Sequence, residues 1–320
     1  MYTGAAITQP DPASRHLELA TLPLLPEEDS YVVAVRAAAA CRDELGWELI
    51  DPQFFTERRQ RVPGPEGAGV VLSAPPNATF KAGDEIMWSL DAWAAGSMRE
   101  YTTVPVSAAA RRPNLSWAEA AAVPLSAQTA WQGLFEQGGL RPVFDGNANK
   151  GKRVLVTGAS GSVGSWALRL GAAAGAYMIG VGSGQRADEM RSAGAAEVVD
   201  YSRGGVAEWA QKNQVDLVLD CAGRDHEALW TAVKDGGTFL SIVSEHDPAA
   251  TQPSGKKATA KWYLVRTRGP ELARVADLID ERGWRPAIDS VHPFAKFQDA
   301  YDRVDGAAAG KVIVTVSEDP

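Results

Sequence analysis

The chain has 320 residues, 45% of them hydrophobic, and a formal net charge of −8; it is long enough for two domains with real cores and too acidic for a general nucleic-acid binder. Its two cysteines, Cys41 and Cys221, lie far apart and suggest no disulfide framework. Residues 1–17 lack the basic start and apolar core of a secretory leader, and no run reaches the ~20 apolar residues that span a bilayer, so a soluble cytoplasmic protein is expected.

In chain order, residues 17–21, 31–37, 67–73, 85–88 and 100–104 are short β-prone runs broken by proline and glycine, with few helical periods before Trp117. They predict a compact, largely β domain. Residues 153–164 then read RVLVTGASGSVG: a short aliphatic strand, three glycines spaced three apart, and the start of an alanine-rich helix. Glycines there let the chain turn sharply and let a pyrophosphate approach the helix N-terminus, where free N–H groups and the macrodipole favour anions. With a strand before it and a helix after it, the motif predicts a dinucleotide site rather than a turn made for packing alone. Residues 177–182, 197–200, 215–220, 237–243 and 261–265 read as further strands, and 187–193 and 229–234 as helices, an alternation that implies a doubly wound parallel sheet. Residues 286–316 return to β-like runs, including 311–316, and are expected to fold back onto the first domain.

Other segments match one family in order. Residues 63–71 (PGPEGAGVV), 81–86 (KAGDEI), 120–131 (AAAVPLSAQTAW) and 310–313 (GKVI), with the glycine turn, resemble the medium-chain dehydrogenase/reductase superfamily in its zinc-independent quinone oxidoreductase and enoyl reductase-like branch. The resemblance implies an α/β protein with a GroES-like β-rich catalytic domain at residues 1–118 and 267–320, and a doubly wound Rossmann NADP-binding domain at 119–266. Zinc members of that superfamily hold the metal with a cysteine, a histidine in Gly-His-Glu and a further cysteine or acid. Here Cys41 stands near the first position, Pro65 replaces the histidine and the third falls at about Leu125, while His16, His226, His246 and His292 are scattered. One thiol does not make a zinc site, so no metal is expected.

Hydride chemistry without a Lewis acid suits a conjugated carbonyl (a quinone, enone or enoyl group) better than a saturated alcohol. The strand at 177–182 ends without the acidic residue that binds a ribose 2′-hydroxyl; Ser183 and Arg186 follow instead, and Tyr201 matches a tyrosine that in the family nears the 2′-phosphate. Such a contact is worth ~1.5–3 kcal/mol, about one to two decades in affinity, so NADP(H) is the expected cofactor. Arg186 also reads as a solvated helix-start residue. The cofactor-binding set is Gly158, Ser160, Gly161, Ser162, Val163, Gly164, Ser183, Arg186 and Tyr201, joined through the resemblance by Ser126 and Thr129 for the carboxamide and Lys311 for the pyrophosphate. Lys311 reads equally as a solvated lysine. Glu44 and Trp47 match the segment that lines the nicotinamide end, so Glu44, Trp47 and Thr129 are the catalytic candidates. Glu44 either orients a ribose hydroxyl, relays a proton, or is a structural or surface charge. Where some relatives carry a tyrosine, this chain has Phe54 and Phe55, which leaves water as an alternative proton donor. Trp47, Trp88 and Trp93 either border a substrate pocket or pack in the core. A redox-neutral enzyme such as a cyclase, and a non-catalytic NADPH-binding protein, stay open beside the oxidoreductase. Residues 261–266 (KWYLVR) are the candidate edge of a homodimer, unless their flanking charges protect a monomer.

Overall fold

A computed structural model describes residues 2–25, 27–50, 52–55, 60–306 and 308–317. Residue 1 and residues 318–320, the outer ends assigned to the first domain, lie outside them. The chain divides into two compact units, 1–128 with 266–320, and 129–265. Residues 119–128, assigned above to the nucleotide-binding domain, therefore group with the first unit.

The first unit opens on an antiparallel pair, β1 (Thr3–Thr8) and β2 (Glu18–Pro23). β3 (Ser30–Ala40) buries every second residue, Tyr31, Val33 and Val35, and then all of Ala37 to Ala40. That switch marks where the strand passes from a sheet with one covered face into full enclosure. A short helix α1 (Trp47–Ile50) is followed by β4 (Glu66–Ser73), β5 (Glu85–Ser89), β6 (Tyr101–Pro105) and β7 (Ala109–Arg111). Helix α2 (Trp117–Ala121) starts with a capping box between Ser116 and Glu119, and α3 (Pro124–Trp131) runs on into a π-helical segment, Gln132–Gln137.

The second unit alternates β8 (Arg153–Val156), α4 (Ser162–Ala173), β9 (Tyr177–Gly182), α5 (Ala187–Ser192), β10 (Glu197–Asp200), α6 (Gly205–Ala210), β11 (Val215–Asp220), α7 (His226–Ala232), β12 (Val233–Ser241) and β13 (Thr259–Trp262). Its strands are all parallel, in the order β10-β9-β8-β11-β12-β13. Numbered from β8, that is the 3-2-1-4-5-6 order of a dinucleotide-binding sheet.

The chain then completes the first unit with α8 (Gly269–Arg282), β14 (Ile288–Pro293), α9 (Phe297–Asp305) and β15 (Lys311–Thr315). The main sheet runs β14-β15-β3-β4-β5-β7, with β6 also on β3. Its core gathers Tyr31, Ile86, Trp88, Met98 and Tyr301. Trp88 is fully buried and donates from its indole N–H to Ser97 Oγ at 3.0 Å, so it packs in this core and borders no pocket.

Candidate functional site

The glycine motif is the turn between β8 and α4. Gly158 takes a left-handed φ of 56°, a conformation that glycine adopts at no steric cost. Gly161 caps the helix with φ −80°, so any side chain suits its backbone. A Cβ at Gly161 meets only the Gly158 carbonyl oxygen, at 3.1 Å, which leaves open space in front of the helix N-terminus. At Gly164 a Cβ collides with the backbone of Gly158 and Ala159. One glycine turns the chain, one leaves room and one permits close packing. Ser160 lies in the turn, and Ser162 and Val163 begin the helix.

After β9, Ser183 accepts from the Gln185 N–H at 3.3 Å and caps the next turn. Arg186 does not project freely: its Nε lies 2.9 Å from Glu189 Oε2, and its Nη2 bonds the same oxygen. Tyr201 is exposed. The carboxylate of Asp200 accepts from the backbone and hydroxyl of Ser202, which holds it below the usual aspartate range.

Sequence reasoning missed a buried polar knot at the ends of β8, β11 and β12. Asp220, fully buried, accepts from Thr157 Oγ1 at 2.5 Å and from the N–H groups of Ala222 and Gly223; His226 Nε2 and Ser241 Oγ lie 3.3 Å from its other oxygen. An aspartate closing an aliphatic strand before a glycine was the available signal. Ser126 and Thr129 sit one turn apart on α3, both nearly buried, and the Thr129 carbonyl accepts from Tyr263.

In the first unit an open recess is lined by Gln9, Glu44, Trp47, Arg61, Pro65 and Asp91 among others. Glu44 Oε1 accepts from the Cys41 N–H and from the Tyr301 hydroxyl, each at 2.8 Å, and Oε2 accepts from the Gly64 N–H at 2.8 Å. Burial pushes this carboxyl up to about 7, against those hydrogen bonds and the charge of Lys311, which pull it down. Asp91 is also raised by burial. Arg61 is held by Glu48. Beyond Trp47, the exposed rings of Phe54 and Trp93 stack with centroids 5.4 Å apart. Tyr301 is the residue the sequence did not point to, because it comes from α9, 257 positions from Glu44.

Lys311 lies against no open surface. It is almost fully buried, and its ammonium pairs with Glu66, itself fully buried, whose other oxygen accepts from the Leu125 N–H at 2.9 Å. Burial alone lowers a lysine, but Glu66 and Cys41 leave Lys311 above its usual value. The expected role at a pyrophosphate is thus corrected to an internal ion pair. Cys41 is pushed up to about 12 by burial. Pro65 offers no donor, and among the described residues no three His, Cys, Asp or Glu side chains cluster to hold a metal. This donor set does not fit zinc.

A family model described as zinc-binding dehydrogenase matches residues 193–314. A protein of Arthroderma benhamiae named as a probable zinc-binding oxidoreductase, mitochondrial, is 38% identical over 98% of this chain and 97% of its own length. The chain is a medium-chain dehydrogenase/reductase. It belongs to the quinone oxidoreductase-like branch of that superfamily, a branch of oxidoreductases. A mitochondrial NAD(P)H oxidoreductase of Mus musculus is 31% identical over 92% of this dehydrogenase/reductase and 84% of itself. A 2-methylene-furan-3-one reductase of Solanum lycopersicum is 31% identical over 90% and 72%. The fold matches the quinone oxidoreductase of Coxiella burnetii with a TM-score of 0.83 at 20% identity, covering 99% of this chain and 100% of that one. The cytoplasmic placement expected from sequence is overturned: the fungal and mouse relatives are both named as mitochondrial.

Proposed function

We propose that the chain is an NADPH-dependent, zinc-independent oxidoreductase that delivers hydride to a conjugated carbonyl. The observation that carries this reading is the β8–α4 turn, where Gly161 leaves open space in front of the first turn of the helix. The backbone from Gly158 to Gly164 would hold the pyrophosphate. Ser183, Arg186 and Tyr201 would meet the 2′-phosphate, with Arg186 first exchanging Glu189, while Ser126 and Thr129 would orient the carboxamide. When bound, the cofactor supplies a hydride to the β-carbon of an enone or to a quinone.

Glu44 would then give its proton to the resulting enolate: its O–H bond breaks, the new bond forms on the substrate, and the carboxylate regains a proton from the solvent that reaches the recess. A carboxyl with a pKa of about 7 suits a donor near neutral pH. Trp47 would offer an apolar wall. The unsuitable zinc donors support a substrate whose conjugation, rather than a Lewis acid, takes up the charge, and so does the name of the tomato relative.

NADPH consumption by the purified protein with a panel of quinones, enones and saturated ketones tests this. Oxidation is expected with the conjugated acceptors alone. Tight NADPH binding with no oxidation by any acceptor would favour a redox-neutral enzyme or an NADPH-binding protein on the same fold.

A further inference from the structure

We propose that Tyr301 is a positioning residue for Glu44, a hydroxyl rotor that lets the carboxyl carry or release its proton without moving the backbone around it. The inference rests on the proposed proton-donor role of Glu44. Among the described residues three donors reach that carboxyl, and two of them, the N–H groups of Cys41 and Gly64, are fixed in the main chain. A backbone N–H only donates. The phenol is the one partner that both donates and accepts, because its O–H turns about the C–O bond. Against the carboxylate it donates to Oε1 at 2.8 Å; against the protonated carboxyl it turns and accepts.

The ring is fully buried in the core of the first unit, packed with α9, so the oxygen is held in place while the hydrogen is free to rotate. The phenol itself stays protonated, since burial and then the neighbouring Glu44 push it well above its ordinary range.

The charged and titratable groups around this pair are accounted for. Lys311 on β15 acts on Glu44 and is neutralised by Glu66 on β4. Cys41, just past β3, keeps its proton, and Asp43 acts on it. Asp305 on α9 acts on Tyr301. In the recess Arg61 is paired with Glu48, and Asp91 is raised by burial. Tyr301→Phe changes none of these charges and removes the rotor alone.

The sign follows. The charge-assisted bond that Tyr301 donates to the carboxylate is stronger than the neutral one it accepts from the carboxyl, so loss of the hydroxyl raises the Glu44 pKa. A general acid works in its protonated form, so kcat/KM for an enone falls as pH rises through that pKa, and in Tyr301→Phe the fall moves up by about one pH unit.

The experiment pairs that pH profile with an isotope-edited infrared titration of the Glu44 carboxyl band in the full-length protein, the band identified by its loss in Glu44→Gln. The expected result is that band and profile move upward together. Replacing Tyr301 by a difluorotyrosine, which keeps the fold's volume and strengthens the donor, is expected to move both downward. A band that titrates at the same pH in all three proteins would overturn the inference, whatever the activity. Should no acceptor be reduced, the oxidoreductase reading fails while the infrared titration still decides the role of Tyr301.

Discussion

Lys311→Met separates two readings of one lysine. In the folded protein the Lys311 ammonium is the partner of Glu66, and the side chains are 7% and 0% exposed. Methionine keeps most of the volume of the stem but leaves a carboxylate enclosed with only the Leu125 N–H on its other oxygen. Removing one member of such a pair costs about 3–5 kcal/mol, because the remaining charge stays desolvated, whereas replacing both members with apolar or neutral groups is close to neutral. Lys311→Met is therefore expected to lower the melting temperature of its unit by roughly 6–20 °C. Glu66→Gln combined with Lys311→Met is expected to restore most of that loss. Thermal melting and guanidinium unfolding measure both, alongside calorimetric titration with NADPH. A single variant within about 1 kcal/mol of the parent that binds NADPH poorly would refute the ion-pair account, and would return Lys311 to the pyrophosphate.

Gly161→Val is expected to abolish NADPH binding while circular dichroism stays native, whereas Gly164→Val, which collides with the backbone of Gly158 and Ala159, is expected to unfold the second unit. Calorimetry and melting curves distinguish the two, and retained affinity in Gly161→Val would make the motif a packing turn only. Glu189→Gln removes the ion pair on Arg186 and is expected to raise the preference for NADPH over NADH by up to about tenfold, and Arg186→Ala to lower it by about as much; equal affinities in the parent protein would remove the basis for both. Chelation is expected to leave activity unchanged, and elemental analysis to find less than stoichiometric zinc, with one tightly held zinc per chain as the contrary result. β13, at the edge of its sheet, is expected to pair with its copy in a homodimer, and light scattering that gives a monomer at tens of micromolar would show a protected edge instead.

The parallel sheet was the most readable part of the sequence. β9, β10 and β11 lie where the sequence places them; β9 beyond Tyr177 and the Leu217–Leu219 run of β11 are apolar and buried, whereas β10, at the sheet edge, has only Val198 and Val199 between acidic residues. β12 begins earlier than its run suggests, at Val233, since an irregularity in its pairing with β11 carries Lys234, Asp235 and two glycines into the strand. β1 was not anticipated: its small residues have little strand preference of their own, and pairing with β2 makes the strand. Only β-like runs were read in the span 286–316, yet Ala300, Tyr301 and Val304 fall on one buried helical face of α9. The glycine turn was legible because its chemistry is local. The surroundings of Glu44 and the pairing of Lys311 with Glu66 were not, because partners from opposite ends of the chain leave no mark in spacing.

That long-range closure bears on how the molecule is made. Ala37 to Ala40 on β3 pair with Val312 to Thr315 on β15, so one edge of an alanine-rich, fully buried strand has no hydrogen-bonding neighbour until nearly the whole chain has left the ribosome. Residues 129–265 form a compact unit and are synthesised before β15, which lets that unit fold first while the earlier strands wait. During that interval the open side of β3 is a template for pairing with another nascent chain. A chain cut before Lys311 would keep the interval open permanently, and would be expected to reach the cell's proteases or aggregate rather than accumulate as a half-finished enzyme.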